Sequence, residues 1–164
     1  LLQSIVNDET LLPCTIYFRY YLQVAMKQTG NGHLLLDNLQ LWKDQLALGL
    51  TTWAERPEPS RSDCHAWGAS HNIEFYRTVL GIESAAPGFR RIRIEPAPGT
   101  LKEASGTVPH PDGEINVRYR LTGKNGIRAE IEIPAETAGT FVWNGVSHPL
   151  TGGKQIVNIL ESNE

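Results

Sequence analysis

A carboxylate, an imidazole and two indoles crowd one short run of this chain, Leu50 to Trp67 (LTTWAERPEPSRSDCHAW). Glu55 is the carboxylate, His65 the imidazole, and Trp53 and Trp67 the indoles, while Arg61 and Asp63 add opposite charges close together. Apolar ring faces stack on sugar C–H groups and an ionisable carboxylate moves protons, so the combination suits a carbohydrate cleft. Taken singly, each residue has a plainer reading. A lone glutamate after a helix is usually a solvated charge, a lone tryptophan is usually core, and a lone histidine is usually a satisfied structural group. The combination outweighs these readings because Pro57 and Pro59 punctuate the segment and make it a loop. Loops on rigid scaffolds carry function disproportionately.

Helical patterns flank that loop. Residues 13–29 predict a helix with Pro13 in its first turn and Tyr17, Tyr20, Tyr21 and Val24 on one face. Residues 33–47 predict a second, with Leu35, Leu39, Trp42 and Leu46 as its stripe. Residues 63–80 predict a third, with Ala66, Ala69, Ile73, Tyr76 and Leu80 as its stripe and Ser62 or Asp63 as its N-cap. Three helices with aromatic faces do not bury themselves, so further helical hairpins are expected upstream. The first residue being Leu1 fits the same expectation of a longer parent.

After Pro87–Gly88 the hydrophobic period changes from 3.6 to 2. Ile92 and Ile94 alternate with arginines that read as a solvated strand face; Ile115 to Leu121 and Ile127 to Ile133 alternate similarly, followed by Phe141, Trp143, Ile156 and Val157. Turns are expected at Asp112–Gly113, Gly123–Gly126, Asn144–Gly145 and Gly152–Gly153. The fold class is therefore α+β in segregated halves, with helices over 1–85 and an antiparallel β-sandwich over 86–164.

Net charge is −3, which points away from nucleic acid and anionic membrane surfaces as partners. Cys14 and Cys64 lack metal-ligand spacing and read as buried free thiols. No cofactor or metal is expected.

Two blocks, Gly49–Glu55 (GLTTWAE) and Ser60–Gly68 (SRSDCHAWG), resemble the end of the catalytic domain of bacterial α-L-rhamnosidases, glycoside hydrolase family 78. The resemblance continues through Val79–Ile82, Ala86–Pro96, Gly106–Pro109 and Asp112–Val117, and its more specific parts are Asp63–Trp67 and Pro87–Ile92. It implies the last helices of an (α/α)6 barrel followed by a C-terminal β-sandwich. It also implies hydrolysis of terminal α-L-rhamnosyl residues with inversion, by two carboxyl groups about 6.5–9.5 Å apart. Glu55 matches the family's general base and His65 a sugar-contacting histidine; Trp53 and Trp67 stack on the sugar or support the cleft. The proton donor would lie upstream, so this chain alone is expected to be inactive. The implied partners are a rhamnose-containing glycan or glycoside and the rest of the barrel. The alternatives are another six-hairpin glycosidase or phosphorylase, and a non-catalytic carbohydrate-binding or structural module. The second would rest on Phe141 and Trp143 near the Asn144–Gly145 turn, although core alternation explains both.

Overall fold

The computed structural model describes residues 2–123 and 125–160. It resolves into two compact units, one reaching to Phe75 and the other starting at Tyr76. The division falls before the 85/86 boundary expected from the change of period. Leu80 and Ile82 already belong to the core of the second unit.

The first unit is helical. It contains α1 (Leu2–Val6), α2 (Ile16–Gln28), α3 (Gln40–Ala47) and the short α4 (His71–Glu74). Thr15 caps α2: its hydroxyl accepts from the Phe18 N–H, so Pro13 lies outside the helix rather than in its first turn. The second predicted helix begins as two 3-10 turns, Gly32–Leu34 and Asp37–Leu39, and becomes α-helical only at Gln40. The third is a 3-10 turn (Ala66–Ala69), then α4, then a π turn (Phe75–Val79), and neither Ser62 nor Asp63 caps it. Ile16, Leu39 and Trp42 form the buried cluster, with Leu36, Leu41, Trp53 and Phe75 packed against it. Leu35 is also buried, as its stripe predicted, but Leu46 is exposed.

The expected faces of the first and third helices are only partly buried: Tyr20, Val24 and Ala69 are half-buried and Leu80 is buried, but the other positions turn outward. Tyr17 and Tyr21 are exposed on α2, while Ile16, Gln23 and Met26 are buried. Ala66, Ile73 and Tyr76 are exposed, while Gly68, His71, Glu74 and Thr78 are buried.

The second unit is one continuously paired six-stranded sheet. Its strands are β1 (Ile82–Ser84), β2 (Arg91–Ile94), β3 (Glu103–His110), β4 (Gly113–Thr122), β5 (Gly126–Trp143) and β6 (Val146–Ile159). The long β5 organises it. Its first half pairs with β4, its second half pairs with β2, and β6 runs along its other edge. The β2–β5 pairing is parallel, so the sheet is not wholly antiparallel as the alternation suggested. Period 2 cannot report strand direction, because both ladders alternate side chains across the sheet.

Burial follows the expected alternation. Ile92, Ile94, Ile115, Val117, Tyr119, Ile127, Ala129, Ile131, Ile133, Phe141 and Leu150 form the core, and each large aliphatic contributes roughly 1.5–3 kcal/mol. Arg91 and Arg93 face solvent. Tyr119, buried, donates its hydroxyl proton to the Leu80 carbonyl at 2.8 Å. The Asn144–Gly145 turn forms as expected, with both residues at positive φ, while the turn expected at Asp112–Gly113 lies one residue earlier, at Pro111–Asp112, and Gly113 opens β4 opposite His110. In the Gly123–Gly126 turn, Lys124 lies outside the described residues.

Gly152–Gly153 is not a turn: both residues lie inside β6, opposite the register shift between Ile133 and Ala138. A Cβ on Gly152 would collide with the Ala135 backbone, so glycine here serves close approach at a bulge. Phe141 is fully buried, whereas Trp143 is half-buried against the same core and donates its Nε1–H to Asn125 O at 2.6 Å.

Candidate functional site

The loop after α3 is anchored before it reaches Glu55. The Gln45 side-chain oxygen, on α3, accepts from Ala54 N at 2.9 Å. Two backbone bonds then clasp the loop's arms together: His65 N donates to Trp53 O at 2.8 Å, and Glu55 N donates to Ser62 O at 2.9 Å. Thr52 adds a third tie by donating its hydroxyl to Asp63 O. The prolines thus sit at the tip, and Glu55 and His65 ride on two facing arms.

Behind the arms lies Gly68. Its carbonyl accepts from Trp42 Nε1 at 2.7 Å and from His71 Nδ1 at 3.2 Å, using both lone pairs. A Cβ on Gly68 would stand 2.6 Å from Trp53 Cβ, so the turn packs against Trp53 only because residue 68 is glycine. Trp53 meets His71 edge-on with ring centroids 4.9 Å apart, and His71 in turn stacks obliquely on Trp42 at 4.5 Å. The structure therefore gives Trp53 to the helical core as a half-buried support. Burial holds the His71 imidazole below its ordinary pKa, against the opposing pull of its Gly68 bond.

Glu55 faces its charge partner across the loop. Arg61 Nε donates to Glu55 Oε2 at 2.8 Å and Arg61 Nη2 donates to Oε1, a forked pairing. The Glu55 side chain is 15% exposed and that of Arg61 71%. The hydrogen bonds from Arg61 lower the Glu55 pKa most; desolvation opposes them, and the charges of Arg61, His65 and Arg56 add smaller lowering contributions. Arg61, not Asp63, is thus the group that matters to the carboxylate.

Trp67 is the open ring. It is 41% exposed, lies 4.3 Å from the His65 ring, and takes the edge of Tyr17 at 5.9 Å. The Nδ1 atom of His65 is buried without a hydrogen-bond partner among the described residues. The geometry brings His65, Trp67 and Tyr17 into one aromatic platform and leaves Trp53 behind it. The spacing of Tyr17 places it only on a helix face; its role beside Trp67 has no sequence signal. Cys14 and Cys64 are free, as expected, but exposed rather than buried. Among the described residues no three His, Cys, Asp or Glu side chains converge as a metal site.

Comparison with known proteins shows what the chain is similar to. Residues 81–155 match the family model described as Bacterial alpha-L-rhamnosidase C-terminal domain. A curated α-L-rhamnosidase of Alteromonas sp. (strain LOR) is 32% identical over 69 residues, which is 42% of this chain and 7% of that protein. The fold is that of the native α-L-rhamnosidase from Aspergillus terreus, with a TM-score of 0.82 at 22% identity over 97% of this chain and 21% of that one. The GH78 family rhamnosidase of Bacillus sp. GL1 aligns over 80% of this chain and 15% of its own, at 26% identity and a TM-score of 0.73. The chain therefore spans under a quarter of the length of each of these relatives. It is similar to the C-terminal part of α-L-rhamnosidases, as the Asp63–Trp67 and Pro87–Ile92 blocks implied.

Proposed function

We propose, for a chain whose residues 81–155 match the bacterial α-L-rhamnosidase C-terminal-domain family, that it supplies the water-activating side of a glycosidase cleft. The substrate is a terminal α-L-rhamnosyl residue of a glycan or glycoside, and the chemistry is inverting hydrolysis by two carboxyl groups. Glu55 is the general base. It takes a proton from a water attacking the anomeric carbon, while an acid elsewhere protonates the leaving oxygen. His65 and Trp67 form the sugar-facing wall, with Trp67 offering its open ring to sugar C–H groups; Trp53 supports both from behind.

The observation that carries this reading is the loop itself. One set of backbone ties presents a charged carboxylate, a histidine and an exposed indole together. The acidic residues before Glu55 do not gather into a donor site in the same way. Asp8 is engaged by Thr10, Asp44 accepts from Gln40, and Asp37 opens a 3-10 turn. We assign the general acid to a part of the enzyme outside this chain. The first unit then forms the last helices of an (α/α)6 barrel, and the exposed Phe18 and Tyr21 of α2 support that placement, because such rings ordinarily pack against another helix.

In the full-length enzyme, Glu55→Gln preserves size and hydrogen bonding but removes the base. Steady-state kinetics should show kcat reduced by about 10²–10⁴-fold. An unchanged kcat at the optimum pH would remove Glu55 from the mechanism.

A further inference from the structure

We propose that Arg61 is the positioning residue for Glu55, a guanidinium clamp that fixes the plane and the charge of the carboxylate; the role builds on the reading of Glu55 as base. Three observations carry it. The contact is forked, with Nε on one carboxylate oxygen and Nη2 on the other, so the plane of the carboxylate is set as well as its charge. The two residues are brought together by the loop's own backbone, through the Glu55 N to Ser62 O bond beside Arg61. Finally, Glu55 is mostly covered while Arg61 is mostly exposed, so the clamp closes from the solvent side.

A carboxylate carries about four lone-pair sites, and the fork occupies one on each oxygen. The remaining sites stay available to a water. The clamp therefore leaves room for a water at the carboxylate and restricts where that water can stand, while its charge makes Glu55 a weaker base. The other charged groups acting on Glu55 are Arg56 and His65, and both act through charge alone. Only a planar fork reproduces the geometry. Lysine keeps the charge and loses the second directed bond; glutamine keeps a hydrogen bond and loses the charge.

The test uses the 164-residue chain with a carbon-13 label in its glutamate carboxyls. The Glu55 signal is identified by its loss in Glu55→Gln, and its titration midpoint is followed by NMR. With Arg61→Gln the midpoint should move upward; with Arg61→Lys it should move upward less. In the unaltered chain the Arg61 Nε–H should give a slowly exchanging signal that disappears in Glu55→Gln. That measurement stands even if Arg61→Gln fails to fold. A midpoint unmoved in both Arg61 variants, or an Arg61 Nε–H signal indifferent to Glu55→Gln, overturns the clamp. Neither result bears on Glu55 as base, which the kinetics of Glu55→Gln decide separately.

Discussion

At the scale of single residues, Glu55 and His71 are two ionisable groups whose pKa values folding lowers. The Arg61 fork lowers the Glu55 pKa, so the carboxylate stays charged into acid and its pairing is present above the ordinary glutamate value. That contribution is lost as pH falls through the lowered value. His71 is the opposite kind of group. Burial lowers its pKa, so the folded chain binds the proton less readily than the unfolded chain does. Stability of the helical unit is therefore complete above the ordinary histidine value of about 6.5 and declines as pH falls below it. Thermal unfolding followed by circular dichroism should show this decline between about pH 7.5 and pH 5. The His71→Gln variant, which keeps a donor for Gly68 but does not titrate, should flatten it. Glu55 and His65 are legible as residue types in a punctuated loop. Their partners are not: Arg61 reaches Glu55, and Tyr17 reaches Trp67, only through closure of the chain.

At the scale of elements, periodicity serves the strands better than the helices. Alternation in β4 and β5 survives because each strand keeps period 2 through their shared ladder, where a single extra residue would have flipped every later side chain. The third helical segment shows the reverse. Its expected stripe has period 3.6 from Ala66 to Leu80, yet the backbone passes from 3-10 to α to π over those residues. Each change of winding rotates the residues beyond it, so Ile73 and Tyr76 leave the buried side to His71, Glu74 and Thr78, and only Leu80 at the end of the stripe is buried. Gly152 makes the same point for β6. Glycine pairs read as turns, but this one admits the backbone of the opposing bulge. Gly152→Ala should destabilise the sheet unit by about 1–3 kcal/mol in urea unfolding, because its Cβ meets the Ala135 backbone. An unfolding midpoint unchanged by Gly152→Ala would remove the close-approach argument.

At the scale of the whole molecule, the two units divide the labour: helices carry the loop with Glu55, and the sheet carries the residues that match the family's C-terminal domain. On the proposed assignment Glu55 is the base and its acid partner lies outside this chain, and inverting hydrolysis depends on both proton transfers. The purified chain should thus release no p-nitrophenol above the uncatalysed rate from p-nitrophenyl α-L-rhamnoside. Turnover by the chain alone would place the acid within it. What the sequence by itself determined was composition-level and local: the helical and strand-rich halves, the alternation of the sheet, the punctuated loop and the family resemblance. These arise from periodicity and short-range sterics, which neighbouring residues impose on one another. Only the tertiary structure decided that Arg61 clamps Glu55, that Trp53 supports while Trp67 is open, and that β2 runs parallel to β5. Each of those depends on groups separated along the chain meeting at hydrogen-bonding or contact distance. Local pattern carries no information about that meeting, because it is set by how the packed elements close on one another.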